Sequence, residues 1–503
     1  MGIWLSRRER ARTRAAETAF ASPVPTQVVS NGEWTPGPQT AAQRRVAREI
    51  EARGAAAARR LGMDRRAFLR TGAGMALAFL AMNRVYGALF DVDAAEAADP
   101  EAAGERQRAL AGQVVVDAQL HFVRDDYHWQ GLLALGQFAL DQGWNPELRR
   151  EGISFGRYKF QNFVKEVFLD SDTRIGLLSG APSDDPDNWI LGNDQIAEAR
   201  RIVNGLAGSR RLLCHGIMTP GRPGWLDELE RVAETLRPES WKGYTVGDPL
   251  APSKLAYRLD DERLMYPAYE RMARAGIPIV CIHKGLVPHD YAESFPAWPY
   301  AKVDDVGKAA RDWPQLTFVI YHAALKPLMT PPDASLAEFE KSGRMDWVTD
   351  LAEIPAKYGV GNVYAELGTS FASSCVTHPR HAAALLGTLI RGMGAERVLW
   401  GTDSVWYGSP QWQIEALRRL EIPTDMRKQH GFAALGPAAG PVKSAILAGN
   451  TARLYGLDLG AARAGSDGDR LAALKRDYQA AGAARSNLAY GFIHHGAAAA
   501  ARA

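Results

Sequence analysis

Short apolar runs alternate with longer amphipathic stretches from residue 113 onward. Strand and helix patterns that alternate in this way are typical of a parallel β-sheet covered by helices. The run 277–282 is apolar almost throughout, as expected for a strand that is covered on both faces. Eight such runs predict eight strands, the number found in a (β/α)8 barrel. The predicted strands are 113–117, 174–178, 211–217, 241–246, 277–282, 316–321, 362–366 and 397–401.

The stretches between these runs predict helices at 194–206, 225–236, 261–275, 303–312 and 381–393. The barrel would cover residues 110–460, with long loops after the strands, and an Ala-rich tail would follow at 461–503. We expect one helix in the tail at 470–480, followed by a disordered end. The rival architecture is a doubly wound open sheet. Such a sheet usually carries a Gly-rich phosphate loop after its first strand, and no such loop follows 113–117.

Polar side chains stand at the ends of four predicted strands. His121 follows the first strand, His283 the fifth, His322 the sixth and Asp403 the eighth. The carboxyl ends of all strands in a parallel barrel meet at one rim, so these four residues are expected to converge. Each residue also has a plain structural interpretation. A histidine after a strand can simply bind a backbone carbonyl, and Asp403 can cap a helix or close a turn.

Converging imidazoles and a carboxylate suit a divalent ion such as Zn²⁺ with an open position for water. Water bound to such an ion loses a proton near neutral pH, and a neighbouring carboxylate can collect that proton. Asp403 would be this base. His322 would polarise or protonate the substrate oxygen.

Several segments at these strand ends share a family pattern. They are Asp-Ala-Gln-Leu-His at 117–121, Gly-Ile-Pro-Ile-Val-Cys-Ile-His at 276–283, Phe-Val-Ile-Tyr-His at 318–322, Val-Leu-Trp-Gly-Thr-Asp at 398–403 and Gly-Asn-Thr-Ala-Arg-Leu-Tyr-Gly-Leu at 449–457. The chain resembles the amidohydrolase superfamily, in the amidohydrolase-related branch that includes aminocarboxymuconate semialdehyde decarboxylase and lactone hydrolases. The resemblance implies that His121 and His283 bind a metal, that His322 is catalytic, and that Asp403 is both ligand and proton carrier.

One residue departs from this pattern. The first motif of the family is usually His-x-His, and Gln119 stands at its first position. An amide oxygen is a poorer ligand for zinc than an imidazole, although related lactone hydrolases work without a metal. We expect a single divalent ion, most simply Zn²⁺, with Gln119 as its fourth contact. Lys242 is the position to test for the lysine that bridges two metals in other members, and the alternative is that it extends to the surface.

Five further residues are expected around the mouth of the barrel as substrate contacts. Arg222 or His378 could hold a substrate carboxylate, and the alternatives are loop packing or a helix start. The five residues are His215, Arg222, Glu366, His378 and Trp406.

Charge separates the N-terminal segment from the rest of the chain. Residues 1–70 carry 14 Arg against 6 Asp or Glu, although the whole chain has a net charge of only +3. We expect a basic leader at 1–62, disordered or helical, and a twin-arginine-like export signal at 63–98. This signal predicts a periplasmic protein. In the alternative, Arg65 and Arg66 merely begin an amphipathic helix, and the protein is cytoplasmic.

The composition is that of a folded protein with a large core, since 46% of the residues are hydrophobic and 23% are charged. The basic segment lacks the interleaved aromatic residues of a nucleic-acid surface, and no apolar run is long enough to span a membrane. Cys214, Cys281 and Cys375 are expected as buried apolar residues.

Three functions remain open from the sequence. The first is hydrolysis of a cyclic ester, an amide or a related small carbonyl compound by activated water. The second is metal-assisted decarboxylation of an aromatic or unsaturated acid on the same scaffold. The third is a binding barrel that has lost its metal. A small-molecule substrate and a homo-oligomer are compatible with all three.

Overall fold

Eight parallel strands form one sheet in which each strand pairs with the next along the chain. The structure is a computed structural model that describes residues 22–28, 39–128, 154–248, 252–286, 296–326 and 332–483. The strands are β1 (Val116–Leu120), β2 (Ile175–Leu178), β3 (Leu212–Ile217), β4 (Ser240–Tyr244), β5 (Ile279–His283), β6 (Thr317–Tyr321), β7 (Val363–Glu366) and β8 (Val398–Leu399). All eight overlap the predicted strands.

Backbone hydrogen bonds between β1 and the segment after β8 close the sheet into a barrel. Ala118 N donates to Trp400 O at 2.9 Å, and Asp403 N donates to Gln119 O at 3.0 Å. His121 N donates to Ser404 O at 2.7 Å. The predicted (β/α)8 barrel is therefore confirmed, and the open doubly wound sheet is wrong.

Strand β1 is the least accurately predicted of the eight. The prediction 113–117 followed the apolar run at 114–116, whereas the strand runs from Val116 to Leu120. Its pairing with β2 shifts register between Asp117 and Leu120. The strand also includes the polar residues Asp117 and Gln119, which an apolar pattern does not assign to a strand.

Helices connect the strands around the outside of the barrel. In Asn193–Ala207, for example, the buried positions Ile196, Ala199 and Val203 recur every three or four residues, which places them on one face. The helices between β1 and β8 in the described part are Phe160–Val164, Asn193–Ala207, Trp225–Arg231, Tyr266–Arg274, Val306–Asp312, Pro332–Ser342, Val348–Tyr358 and Pro379–Met393. Wider π-helical turns continue some of the described helices, at Lys165–Leu169, Val232–Leu236 and Ala445–Gly449.

Two predicted helices begin later than expected. The Asp261 carboxylate accepts hydrogen bonds from Arg263 N and Leu264 N, both at 3.0 Å, and so holds a turn. The helix predicted at 261–275 therefore begins only at Tyr266. The helix predicted at 303–312 begins at Val306.

Further helices follow β8 and complete the C-terminal part. They are Gln411–Arg419, Thr424–His430, Pro441–Ser444, Asn450–Tyr455, Leu459–Gly468 and Arg470–Ala480. The last of these confirms the helix predicted in the tail. The expected disordered end lies outside the described residues.

Among the described residues, four helices precede the barrel: Ala41–Arg60, Arg65–Leu69, Gly72–Tyr86 and Pro100–Leu110. The second begins at Arg65 because the Asp64 carboxylate caps it, accepting from Arg66 N and Ala67 N. The apolar helix Gly72–Tyr86 is largely buried, and its Phe79 ring lies 4.8 Å from that of Phe90. The segment expected to be an export signal thus packs as part of the fold, while its role in export stays a prediction.

The three cysteines are buried and free, as expected. Within the described ranges, no helix is both long and apolar enough to cross a bilayer.

Candidate active site

Five predicted residues meet at the carboxyl end of the barrel: Gln119, His121, His283, His322 and Asp403. Gln119 Nε2 donates to Asp403 Oδ1 at 3.0 Å, and it lies 3.4 Å from His121 Nε2 and 3.5 Å from His322 Nε2. His322 Nε2 in turn lies 3.0 Å from His283 Nδ1. All five are at least 94% buried. Strands from opposite ends of the sequence therefore build one cluster, as the barrel geometry predicts.

Backbone carbonyls fix the rings of two of the histidines. His121 Nδ1 lies 2.9 Å from Ser179 O, and His322 Nδ1 lies 2.9 Å from Gly368 O. A carbonyl oxygen only accepts, so each Nδ1 carries a hydrogen. In the neutral ring each Nε2 then presents a lone pair to the cluster. His322 Nε2 accepts a hydrogen bond from His283 Nδ1 on this assignment.

The contact between His121 and Asp403 requires a positive charge. His121 Nε2 lies 3.2 Å from Asp403 Oδ1. A nitrogen lone pair and a carboxylate oxygen repel each other at this distance in a buried site. Either a proton on His121 Nε2 or a cation next to both atoms removes the repulsion.

Asp403 is held as a carboxylate. Burial opposes its ionisation, but the hydrogen bond and the electrostatic interaction with His121 outweigh burial and lower the pKa of Asp403 to about 2. Thr369 Oγ1 donates to Asp403 Oδ2 and accepts in turn from the Tyr407 hydroxyl at 3.2 Å. The carboxylate is therefore oriented on both oxygens.

Two site residues have backbone conformations that are unusual for residues with a side chain. The φ angle is 62° at His322 and 59° at Asp403. Residues other than glycine are uncommon in this left-handed region, and such strained positions cluster at functional sites. Both unusual conformations occur at residues whose side chains belong to the cluster.

Glu366 lies beneath the cluster and binds the backbone that supports it. Its carboxyl oxygens accept from Gly368 N at 2.6 Å and from His322 N at 3.2 Å. Burial raises the pKa of Glu366 to about 8. A side chain at Gly401 would place its Cβ 1.7 Å from Glu366 Oε1, so the carboxyl group fits only against glycine.

Burial also keeps the two remaining imidazoles of the cluster neutral. It lowers the pKa of His322 to about 4, even though the Asp403 carboxylate acts in the opposite direction. Burial and the neighbouring His322 hold the pKa of His283 well below its usual value. Neutral imidazoles can bind a metal or accept a proton.

The donor atoms fit a divalent cation only if Gln119 contributes. His121 Nε2, Asp403 Oδ1 and the Gln119 amide nitrogen form a triangle with edges of 3.0, 3.2 and 3.4 Å, the spacing of ligands about 2.1 Å from one ion. No group of three or more His, Cys, Asp or Glu side chains in the described part of the chain is arranged to hold a metal. The Gln119 Oε1 atom is buried and has no hydrogen-bond partner there. A half-turn of the amide would direct this oxygen to the triangle.

A family model matches the part of the chain that contains most of the site residues. Residues 210–457, from just before β3 to just beyond the helix Asn450–Tyr455, match the family model described as Amidohydrolase. This part of the chain belongs to the amidohydrolase family. His283, His322 and Asp403 lie inside the matched residues, whereas Gln119 and His121 precede them. The predicted relationship is confirmed, and the roles of the two β1 residues are argued from geometry.

Several solved structures are similar to the amidohydrolase barrel of this chain, and no curated protein matches it. A TIM-barrel protein from Bordetella bronchiseptica aligns with a TM-score of 0.43 and 15% identity over 69% of this chain and 99% of its own. The 5-carboxyvanillate decarboxylase LigW from Sphingomonas paucimobilis aligns with a TM-score of 0.39 and 16% identity over 69% and 100%. Metarhizium anisopliae IDCase aligns with a TM-score of 0.39 and 16% identity over 69% and 98%.

One layer below the amidohydrolase site, His215 and Lys242 fill the barrel interior. His215 Nε2 lies 2.9 Å from the Tyr321 hydroxyl, and its Nδ1 lies 2.8 Å from Ser240 Oγ. Lys242 is fully buried, with Nζ 3.3 Å from the centre of the Tyr321 ring. The interpretation of Lys242 as a strand residue that extends to the surface is therefore wrong, because it points into the barrel.

The other predicted substrate contacts lie at different distances from the cluster. Trp406 stacks on His121 with ring centres 6.0 Å apart and forms a wall of the site. Arg222 donates to the carbonyls of Ser183 and Asp184 at 3.3 and 3.2 Å, on the loops beside the mouth. The structure does not bring His378 to the cluster. It begins the helix Pro379–Met393 and lies 3.6 Å from Asp333.

Sequence reasoning missed several residues that orient the site. Asp117 accepts from Gln119 N at 3.1 Å and Thr402 N at 3.0 Å, and so ties β1 to the segment after β8. Its place in the Asp-Ala-Gln-Leu-His motif was the available signal. Ser179 acts through its backbone carbonyl, and Thr369 acts through a hydroxyl in a loop. Neither leaves a pattern in a single sequence.

Proposed function

We propose that the barrel is a non-oxidative decarboxylase of an aromatic or unsaturated carboxylic acid. The observation that carries this proposal is the buried His121–Asp403 pair, 3.2 Å apart and walled by the Trp406 ring. Such a site excludes water and combines an acid–base pair with a flat apolar surface. Desolvation favours loss of a carboxylate, and the ring surface suits a planar substrate.

The balance of hydrogen-bond donors and acceptors in the cluster favours decarboxylation over hydrolysis. His322 Nε2 and the Asp403 carboxylate are acceptors in their assigned states, and Gln119 Nε2 is the side-chain donor that contacts them. Hydrolysis of an ester or amide gains most from donors aimed at a developing oxyanion. Decarboxylation instead needs a proton delivered to the carbon that loses its carboxylate.

The His121–Asp403 pair would carry this proton. The bond from the substrate carbon to its carboxylate breaks, the electron pair stays on the carbon, and CO2 leaves. The carbon then takes a proton from the His121–Asp403 pair, which recovers one from solvent. A divalent ion bound at the cluster would supply the positive charge that holds the substrate carboxylate. The neutral His322 accepts a hydrogen bond from a substrate hydroxyl in place of the one from His283 Nδ1, and Trp406 packs against the substrate ring.

Hydrolysis of a cyclic ester or amide is the second candidate. It is favoured by one observation, the lowered pKa of Asp403, which keeps this carboxylate ionised beside the place where water would bind. An ionised carboxylate can accept a proton from attacking water. Opening of a ring without release of CO2 would identify this reaction.

The test is a panel of ¹³C-carboxyl-labelled hydroxybenzoic and unsaturated acids, with lactones alongside, in D2O and followed by NMR. A decarboxylase releases labelled CO2 and leaves one deuterium on the carbon that lost it. We expect Asp403→Asn to slow turnover by at least about 100-fold, because it removes the carboxylate of the pair that delivers the proton. The exposed Asp227→Asn is the control variant and is expected to keep full activity. Unchanged turnover in Asp403→Asn would contradict the proposal.

A further inference from the structure

The amide of Gln119 occupies an unusual place between acceptors. Its nitrogen lies 3.0 Å from Asp403 Oδ1, 3.4 Å from His121 Nε2 and 3.5 Å from His322 Nε2. An amide has two N–H groups, and here both can be used on the side that faces the cluster. The nitrogen therefore partly balances the lone pairs and the negative charge that a cation would otherwise balance.

The other end of the same amide is poorly accommodated. Gln119 Oε1 is buried without a hydrogen-bond partner in the described part of the chain. It points towards Gly368 and Glu366: a Cβ built on Gly368 would lie 2.1 Å from Gln119 Oε1 and 2.8 Å from Glu366 Oε1. The amide thus directs an acceptor towards a carboxyl group whose two oxygens already accept from Gly368 N and His322 N. Only the contacts on the cluster side favour this orientation.

We propose that the Gln119 amide reverses when a divalent cation binds. In the metal-free protein its nitrogen donates a hydrogen bond to Asp403, and no ligand atom of Gln119 faces the cluster. In the metal-bound protein a half-turn of the amide presents Oε1 to the cation and directs the N–H groups towards Glu366. Both ends of the side chain then have suitable partners.

Because of this reversal, the site binds a cation weakly and reversibly. The cation must displace the hydrogen bond between Gln119 and Asp403 before it gains the amide oxygen. A neutral amide oxygen is also a weaker ligand than a carboxylate. Gln119→Glu keeps the size of the side chain and adds a charged ligand, so it should strengthen binding. Gln119→Leu, of similar size but without a ligand atom, should weaken binding.

The test is a titration of the full chain with Co²⁺ alone, followed by visible absorption and by calorimetry. We expect Gln119→Glu to bind Co²⁺ at least tenfold more tightly than wild type and Gln119→Leu at least tenfold more weakly. Gln195→Glu adds the same charge at an exposed position on the helix Asn193–Ala207 and should bind like wild type. Equal affinities in wild type and Gln119→Leu would overturn the proposal, as would weaker binding in Gln119→Glu.

The proposed role of Gln119 rests on the proposed function in one respect only, because both place a cation at this rim. The titration contains no substrate, so its result is independent of turnover. If the variants bind Co²⁺ in the expected order while no acid is decarboxylated, the proposed function fails and the role of Gln119 stands. If acids are decarboxylated while Gln119→Leu binds Co²⁺ as tightly as wild type, the proposed function stands and the role of Gln119 fails.

Discussion

Glycine at position 401 makes room for the carboxyl group that supports the site. A Cβ there would lie 1.7 Å from Glu366 Oε1, and Glu366 is fully buried with bonds to two backbone amides. We expect Gly401→Ala to lower the free energy of unfolding by about 1–3 kcal/mol, because overpacking forces buried groups apart. Urea denaturation measures this change.

Gly361 provides the matched control. It is exposed, and the nearest atom to a Cβ built there is a side-chain nitrogen of Arg397 at 3.8 Å. Gly361→Ala should change the free energy of unfolding by no more than about 0.5 kcal/mol. Equal stability of the two variants would show that Glu366 does not occupy the position described.

Residues at strand ends were the predictable part of the site. His283, His322 and Asp403 could be chosen because each follows an apolar run that is typical of a strand. The orienting contacts from Ser179 and Gly368 could not, since a backbone carbonyl is present at every residue. His378 was chosen for its chemistry alone, and its side chain pairs with Asp333 at a helix start.

At the scale of single elements, apolar runs located all eight strands but not all their ends. The predicted β1 began three residues too early, because the prediction followed the apolar run at 114–116, whereas the strand includes the polar residues Asp117 and Gln119. Helices with a continuous apolar stripe were placed well, as in Asn193–Ala207. Those preceded by a turn, such as Tyr266–Arg274, were predicted too long.

The helix Gln411–Arg419 carries a buried ionic group that makes stability depend on pH. Glu415 accepts from Arg418 at 2.9 Å and from Arg106 of the N-terminal helices at 3.0 Å. Burial opposes ionisation, but Arg419, Arg106 and Arg418 outweigh it and lower the pKa of Glu415 to about 2. A lowered pKa stabilises the fold above the unfolded value, about 4.5, and this contribution is lost as the pH falls towards 2.

We therefore expect acid to destabilise the protein between about pH 4.5 and pH 2, with Glu415 contributing on the order of 3 kcal/mol to the loss. Glu415→Gln should flatten this part of the curve of unfolding free energy against pH. Glu353→Gln, which removes an exposed ion pair with Arg344, is the control and should leave the slope unchanged. An identical slope in Glu415→Gln and wild type would contradict the assignment.

At the scale of the whole molecule, the N-terminal helices and the barrel share one core. Phe90 pairs with Leu420 next to the helix Gln411–Arg419, and the buried Arg419 side chain binds Glu96. The division into a leader at 1–62 and a signal at 63–98 followed from composition and a short motif, which carry no information on packing. Helix Ala41–Arg60 spans most of the second half of the predicted leader.

This shared core predicts that a change in the predicted signal segment destabilises the barrel. Phe79 is fully buried, and the Arg419 guanidinium lies 5.5 Å from its ring centre. Phe79→Ala should lower the free energy of unfolding by about 3–5 kcal/mol, with a matching drop in Tm. Leu474→Ala, at a residue that is 44% exposed, should have little effect. If Phe79→Ala left the free energy of unfolding of the barrel unchanged, the segment would not be part of this core.

One rim of the barrel gathers Gln119, His121, His283, His322 and Asp403 into a single centre, and both functional proposals depend on this convergence. A crystal structure after a Mn²⁺ soak, with anomalous scattering recorded at the manganese edge, tests it most directly. We expect an anomalous peak bounded by the His121, His283 and Asp403 side chains, with the Gln119 oxygen turned towards it. Side chains directed into separate cavities, or manganese bound only elsewhere, would contradict this arrangement.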